Sequence, residues 1–186
     1  MKRIVSVLLV ICCLAGCSSG PSSLNHGLSL RNKLMESQGF SFEAVICADF
    51  GKETYSFSVM CNADKEGNVS FSVLEPELIC GISGTFSGSG GVLTFDDIVL
   101  TFPSLADGEV SPVSGPWLMI NALLHGYIKG ESFSDGQICL TIMDSFEEDA
   151  LMLRMYLNEN MDPVHCDLFW QGRSVLSMAV KSFRYL

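Results

Sequence analysis

Near its C-terminus the sequence reads PVHCDLFW and sets His165, Cys166 and Asp167 side by side. A thiol, an imidazole and a carboxylate are the parts of a nucleophile, its base and the group that orients the base. They are also metal-ligand types. Spacing decides between these uses. The stretch reads as a β-strand, in which neighbouring residues point to opposite faces. Cys166 then shares an inward face with Val164, Leu168 and Trp170, while His165 and Asp167 face outward and pair with each other or with water. A Cys–His catalytic pair has to meet within hydrogen-bond reach, which adjacent strand residues do not. The remaining histidines, His26 and His125, show no link to Cys166 in the sequence. No catalytic residue is assigned.

Metal and phosphate motifs fare no better. No Cys-x-x-Cys or His-x-x-x-His spacing exists, so zinc chemistry has no frame. DKEGNVSFSVLE mimics a calcium loop at Asp64, Glu66, Asn68 and Glu75, but Gly67 stands fourth where the loop needs a glycine sixth. A hairpin turn is the expected structure. DSFEEDA, with Asp144, Glu147, Glu148 and Asp149, reads as a solvated loop. SGTFSGSGG lacks the lysine and spacing of a phosphate-binding loop, and no G-x-S-x-G elbow occurs. Neither metal nor cofactor is implied, and the chain does not read as an enzyme.

The elements around these residues are mostly strands. FSFEAVICADF puts Phe42, Ala44, Ile46, Ala48 and Phe50 on one face. TYSFSVMC sets Tyr55, Phe57, Val59 and Cys61 against Ser56, Ser58 and Met60, and NVSFSVLEP sets Val69, Phe71 and Val73 against serines. Such alternation predicts antiparallel strands with one buried face. ELICGISG extends the series with Leu78, Cys80 and Ile82, and GVLTFDDIVLTFP predicts a hairpin turning at Asp96-Asp97. LSLRNKLMESQ predicts a modest helix with Leu30, Leu34 and either Met35 or Leu28 on one side. SPVSGPWLMINALLHGYI predicts the best helix, with Ser111 as N-cap, Pro112 first, and Val113, Trp117, Ile120, Leu124 and Tyr127 at helical spacing. Further strands centre on Ile138, Leu140 and Ile142, then on Leu151, Leu153, Met155 and Leu157, and a final pair closes around QGR. Nine or ten strands with two helices fit one curved sheet.

MKRIVSVLLVICCLAGCSSG carries a basic start, a short apolar run and small residues before Cys17. The run is shorter than the roughly 20 residues that span a bilayer, and the pattern predicts an export signal with a lipobox, LAGC. Cys17 is the expected site of lipidation, and two or more acyl chains anchor stably where one does not. Without Lys2 and Arg3, 9 basic residues face 21 acidic ones, a net charge of −12. Such a body excludes nucleic acid as a partner and does not adhere electrostatically to anionic lipid. After Cys17 five cysteines remain, an odd number, expected as mostly free, buried thiols.

The ending MDPVHCDLFWQGRSVLSMAVKSF resembles the closing hairpin of the LolA/LolB-like superfamily of bacterial lipoproteins and lipoprotein carriers. There a proline opens a strand, a short glycine-containing turn follows, and the last strand ends near a phenylalanine. LEPELICGISG and SPVSGPWLMINALLHG are similar to further segments of such lipoproteins, and the likeness spans most of residues 40–186 in element order. The resemblance implies an α+β, mainly β, fold: an incomplete antiparallel β-barrel wrapped over a helical plug or lid. In carriers of this kind an apolar cavity accepts acyl chains. Cys17 sets this chain apart from the soluble carriers, because a tethered protein does not ferry cargo across a periplasm.

Residues 1–16 are thus expected as a signal peptide, 17–27 as lipidated cysteine and tether, and 28–186 as one LolA-like domain. The expected function is non-catalytic and extracytoplasmic: a protein held to the bacterial membrane through Cys17 that binds a lipid, an acyl chain or a lipoprotein. The candidate cavity residues are Phe57, Val59, Phe71, Ile82, Trp117, Ile120, Leu124, Leu153 and Trp170. The alternative is a cell-envelope scaffold, for example in spore or envelope assembly, that binds another protein and has no ligand.

Overall fold

The computed structural model describes residues 25–186 apart from positions 50, 52, 89, 97, 103, 104, 107, 108, 135, 148 and 149. Cys17, the signal segment and most of the tether lie outside the described residues, as does Phe50. The chain opens with α1 (Asn25–Glu36) and runs through β1 (Gly39–Asp49), β2 (Thr54–Asp64), β3 (Val69–Glu75), β4 (Ser83–Ser87), β5 (Gly90–Phe95) and β6 (Ile98–Phe102). The short strands β7 (Leu105–Ala106) and β8 (Glu109–Val110) pair only with each other and lead to α2 (Gly115–His125). β9 (Tyr127–Ser134), β10 (Gln137–Met143), β11 (Met152–Leu157), β12 (Pro163–Trp170) and β13 (Arg173–Tyr185) complete it.

Eleven of these strands form one antiparallel sheet in the order β6-β5-β4-β3-β2-β1-β13-β12-β11-β10-β9. The sheet curves and does not close, and the two helices lie on its inner face. This is the incomplete barrel over a helical lid that the resemblance implies. Every pairing in it joins strands adjacent in sequence, except that of β1 with β13. That seam matches Phe40 with Tyr185 and Phe42 with Phe183.

Period-2 alternation produces the buried face directly. Phe42, Ala44, Ile46 and Ala48 of β1 are buried, as are Phe57, Val59, Cys61 and Ala63 of β2 and Val69, Phe71 and Val73 of β3. Opposite them stand Leu30 and Leu34 of α1 and Met119, Ile120 and Leu123 of α2, all in one core. The register shifts by one residue within the β1–β13, β2–β3, β9–β10, β11–β12 and β12–β13 pairs. Such bulges bend and twist a strand, and they occur where the sheet wraps the helices. Gln171 (φ 50°) and Gly172 (φ 77°) form the tight turn between β12 and β13 that the sequence predicts.

Several expectations are corrected. Residues 77–79 form a 3-10 turn, which leaves Leu78 88% exposed and Cys80 exposed, so the strand begins only at Ser83. Ser111 does not cap α2 with its side chain. A 3-10 turn over Pro112–Ser114 intervenes, and the Ser114 hydroxyl donates to the Ser111 carbonyl at 2.7 Å. Tyr127 begins β9 rather than ending the helix and is half exposed, because Gly126 stops α2. A Cβ at Gly126 would lie 2.5 Å from Ile142 Cγ2 and 2.6 Å from the Ala122 carbonyl oxygen. α1 begins three residues earlier than its leucines predict, and Leu28 and Met35 both face solvent.

Candidate functional site

The strand period divides the His-Cys-Asp triplet as its sequence predicts. Cys166 is fully buried between Met155 and Met178 of the flanking strands. Its burial pushes the thiol well above the ordinary thiol range, as it does for Cys61. A thiol held neutral in an apolar interior is a poor nucleophile. On the outer face His165 Nε2 and Asp167 Oδ1 are 3.0 Å apart, and the Tyr156 ring of β11 lies 5.5 Å from the imidazole. Tyr156 stands across from both Cys139 and His165 in the strand register, a grouping invisible before the strands are aligned. Burial is the main reason the Tyr156 hydroxyl is pushed up, followed by the neighbouring Cys139 and Asp167.

All five described cysteines are free. Cys61, Cys139 and Cys166 are buried, Cys47 half-buried and Cys80 exposed. A thiol reagent at neutral pH is expected to modify Cys80 within the mixing time and Cys61 and Cys166 only on unfolding, read by mass spectrometry of the labelled peptides. Rapid labelling of Cys166 in the folded protein would show that its strand opens. Replacing His165 by Ala is expected to change stability by less than about 1 kcal/mol, as for other half-exposed ion pairs, in urea unfolding.

The calcium-like stretch is a turn. The Asp64 carboxylate accepts hydrogen bonds from the Asn68 backbone N–H at 2.9 Å and the Asn68 side chain at 2.8 Å, and Gly67 takes φ 87°. Glu148 and Asp149 of the other acidic run lie outside the described residues. Among the described residues no three His, Cys, Asp or Glu side chains converge as metal ligands do.

The nine cavity candidates come together, but as packed core. Phe57, Val59, Phe71, Ile120, Leu124 and Leu153 are buried, and Ile82, Trp117 and Trp170 pack half-buried against them. Phe71, Phe86 and Trp117 stack in sequence, with ring centres 5.9 Å and then 6.4 Å apart. A cavity of about 150 Å³ lies between α2 and strands β11 and β12, and of the nine only Trp117 and Leu153 line it. Ligand pockets generally hold about 300–1,000 Å³.

A larger recess, about 690 Å³ and open to solvent, lies between α1, the end of α2 and the β10–β11 loop. Leu28, Tyr127, Ile128 and Phe146 supply its apolar wall, with the Tyr127 and Phe146 rings 4.7 Å apart. Arg31 forms its floor and fixes the two helices together. Its guanidinium donates at the end of α2 to the carbonyls of Leu123 at 2.8 Å, Gly126 at 2.6 Å and Ala122 at 3.4 Å, the last of which also accepts the Gly126 N–H at 2.8 Å. Burial pulls this guanidinium below its usual range. No pattern in the sequence points to this recess, because its walls come from three segments far apart in the chain.

Neither a family model nor a curated protein matches the sequence. Solved structures do match. An outer membrane lipoprotein-sorting protein domain from Vibrio parahaemolyticus is 9% identical, with 86% of this chain and 90% of that one covered at a TM-score of 0.51. A LolA superfamily protein from Nitrosomonas europaea is 8% identical over 86% and 93% of the two chains, TM-score 0.47. The structure of the CwlD amidase from Clostridioides difficile in complex with the GerS lipoprotein matches at 15% identity over 91% and 99%, TM-score 0.45. At such identities the likeness is one of architecture, and the open curved sheet over two helices is a LolA-like fold.

Proposed function

We propose that this chain is a non-catalytic lipoprotein of the cell envelope, tethered through Cys17, whose body acts as a scaffold for a protein partner. The observation that carries this reading is the contrast between interior and edge. The space under α2 is packed with side chains except for a cavity of about 150 Å³, while one margin of the sheet, β6, stands uncovered with apolar residues exposed. A buried Cys166 and an outward His165–Asp167 pair support a non-catalytic role. The test is native mass spectrometry of the full-length protein extracted from its own membrane in mild detergent. The reading expects a stoichiometric protein complex and no lipid beyond the anchor. A body that retains a lipid molecule and no protein overturns it.

A second reading rests on the 690 Å³ recess. Its apolar wall of Leu28, Tyr127, Ile128 and Phe146 has room for a lipid or acyl chain. The nine core residues named from the sequence would join such a site only if α2 lifted from the sheet. Tyr127→Glu would then abolish lipid retention in the same measurement and leave any protein complex intact.

A further inference from the structure

The two margins of the sheet are built differently. β9, at one end, carries Lys129, Gly130 and Glu131 and shifts register against β10. The N-terminus of α1 covers it: His26 Nδ1 lies 2.9 Å from the Glu131 carboxylate, and the His26 ring meets Phe133 edge-on at 5.6 Å. Charges, bulges and a covering helix are the usual devices that stop an edge strand from pairing. β6, at the other end, has none of them. Its sequence is IVLTF, and its pairing with β5 runs without a shift from Phe95–Ile98 to Gly91–Phe102. Ile98, Val99 and Leu100 are each about 60% exposed. Successive strand residues point to opposite faces, so both faces of β6 are open as well as its free margin. The strand overhangs the part of the sheet that the helices cover.

The charge around this margin identifies its occupant. No lysine or arginine stands between Lys65 and Lys129, a stretch holding seven carboxylates, among them Asp96 beside β6. All the ion pairs among the described residues lie outside that stretch. A second copy would set acid against acid. A basic segment would meet Asp96 at the β5–β6 turn and no lysine or arginine from this stretch of the chain.

We propose that β6 receives an extended segment of a partner protein as a twelfth strand, and that this segment carries alternating apolar residues flanked by lysine or arginine. The proposal rests on the scaffold reading and names where the partner docks and with what chemistry. Backbone hydrogen bonds along Ile98–Phe102 supply the affinity, and the apolar faces and flanking charges supply the choice of partner.

The test uses the full-length protein in detergent and two synthetic peptides, KKVTVTIKK and its counterpart with glutamate for every lysine. The basic peptide is expected to bind at least tenfold more tightly in fluorescence anisotropy, to weaken as salt rises, and to slow amide exchange in residues 98–102 before any other strand. Leu100→Lys is expected to remove that binding by tenfold or more with the melting temperature unchanged, since the side chain is mostly exposed. Equal binding of the two peptides, protection away from β6, or a homodimer joined through β6 each overturns the proposal. A photo-crosslinker at position 99 in the native host separates the two levels of inference. Crosslinks to a lysine- or arginine-bearing extended segment support the docking strand. A protein complex that crosslinks from position 127 and not from 99 overturns the docking strand while the scaffold reading stands, and absence of any protein complex overturns both.

Discussion

Phe42→Ala is expected to cost about 3–5 kcal/mol of stability, the range for truncating a fully buried aromatic side chain. For a chain of this size that lowers the melting temperature by roughly 10 °C. Phe42 is 1% exposed and sits in β1 at the middle of the sheet, facing Phe183 across the seam and Cys61 on the other side. Its ring stacks on Phe183 at 5.8 Å with the planes 15° apart, and Phe40 stacks on the same ring at 6.0 Å. Truncation therefore opens a void where the two halves of the sheet meet, bordered by a Phe183 ring that loses one of its three aromatic partners. Phe133→Ala is the matched control: Phe133 is 69% exposed on β9, and its loss is expected to cost less than about 1 kcal/mol. Urea unfolding followed by circular dichroism measures both. Equal costs for the two variants would show that the seam is loosely packed.

Arg31→Met is expected to cost about 2–4 kcal/mol, from the part-buried Leu123 and Gly126 carbonyls that lose this donor and from the loss of a cation at a helix C-terminus. The methionine keeps most of the length and apolar stem, so packing loss is small. What goes is the fork that reaches three carbonyls of α2 from a residue of α1. Arg31→Lys is expected to recover only part of the loss, because a single ammonium does not span acceptors set around the end of a helix. Hydrogen exchange gives the sharper readout: amides in the last turn of α2 and the first turns of α1 are expected to exchange faster in Arg31→Met while β1–β3 stay protected. Uniform acceleration throughout the sheet would mean that Arg31 supports global stability rather than the helix pair.

The strand pattern was legible because period 2 survives wherever one face is buried. The serines of β3 and the apolar residues of β1 to β3 follow the burial that alternation assigns, except in β2, where Tyr55 is half exposed and Ser58 is buried. The same period separates Cys166 from His165 and Asp167. It failed at Leu78, which sits in a 3-10 turn, and at Cys80 just after it; alternation over so short a run does not separate a strand from a turn in which side chains point outward. It failed again at Tyr127, since helical spacing continues across Gly126, where the backbone turns extended (ψ 158°) and ends the helix. The function of Arg31 was hidden for a different reason. Its partners are backbone atoms some 90 residues away, which leave no trace in side-chain identity. Whether the nine apolar residues enclose space or fill it also lay beyond the sequence, because apolarity alone does not distinguish a wall from a core.

The seam between β1 and β13 has a consequence for how the molecule comes into being. Residues 39–102 can form their meander of six strands as soon as they are made, and residues 127–170 can form another of four, each by hairpins between neighbours in the chain. Neither half has both walls of the core until β13 lies beside β1, with Phe40 against Tyr185 and Gln38 donating its N–H to the Leu186 carbonyl at 2.9 Å. Joining them closes a loop of nearly the whole chain, the slow kind of contact in folding. The strand that unites the sheet, β13, thus follows every other strand in the chain. Until β13 has been made, a nascent chain exists as two unjoined fragments.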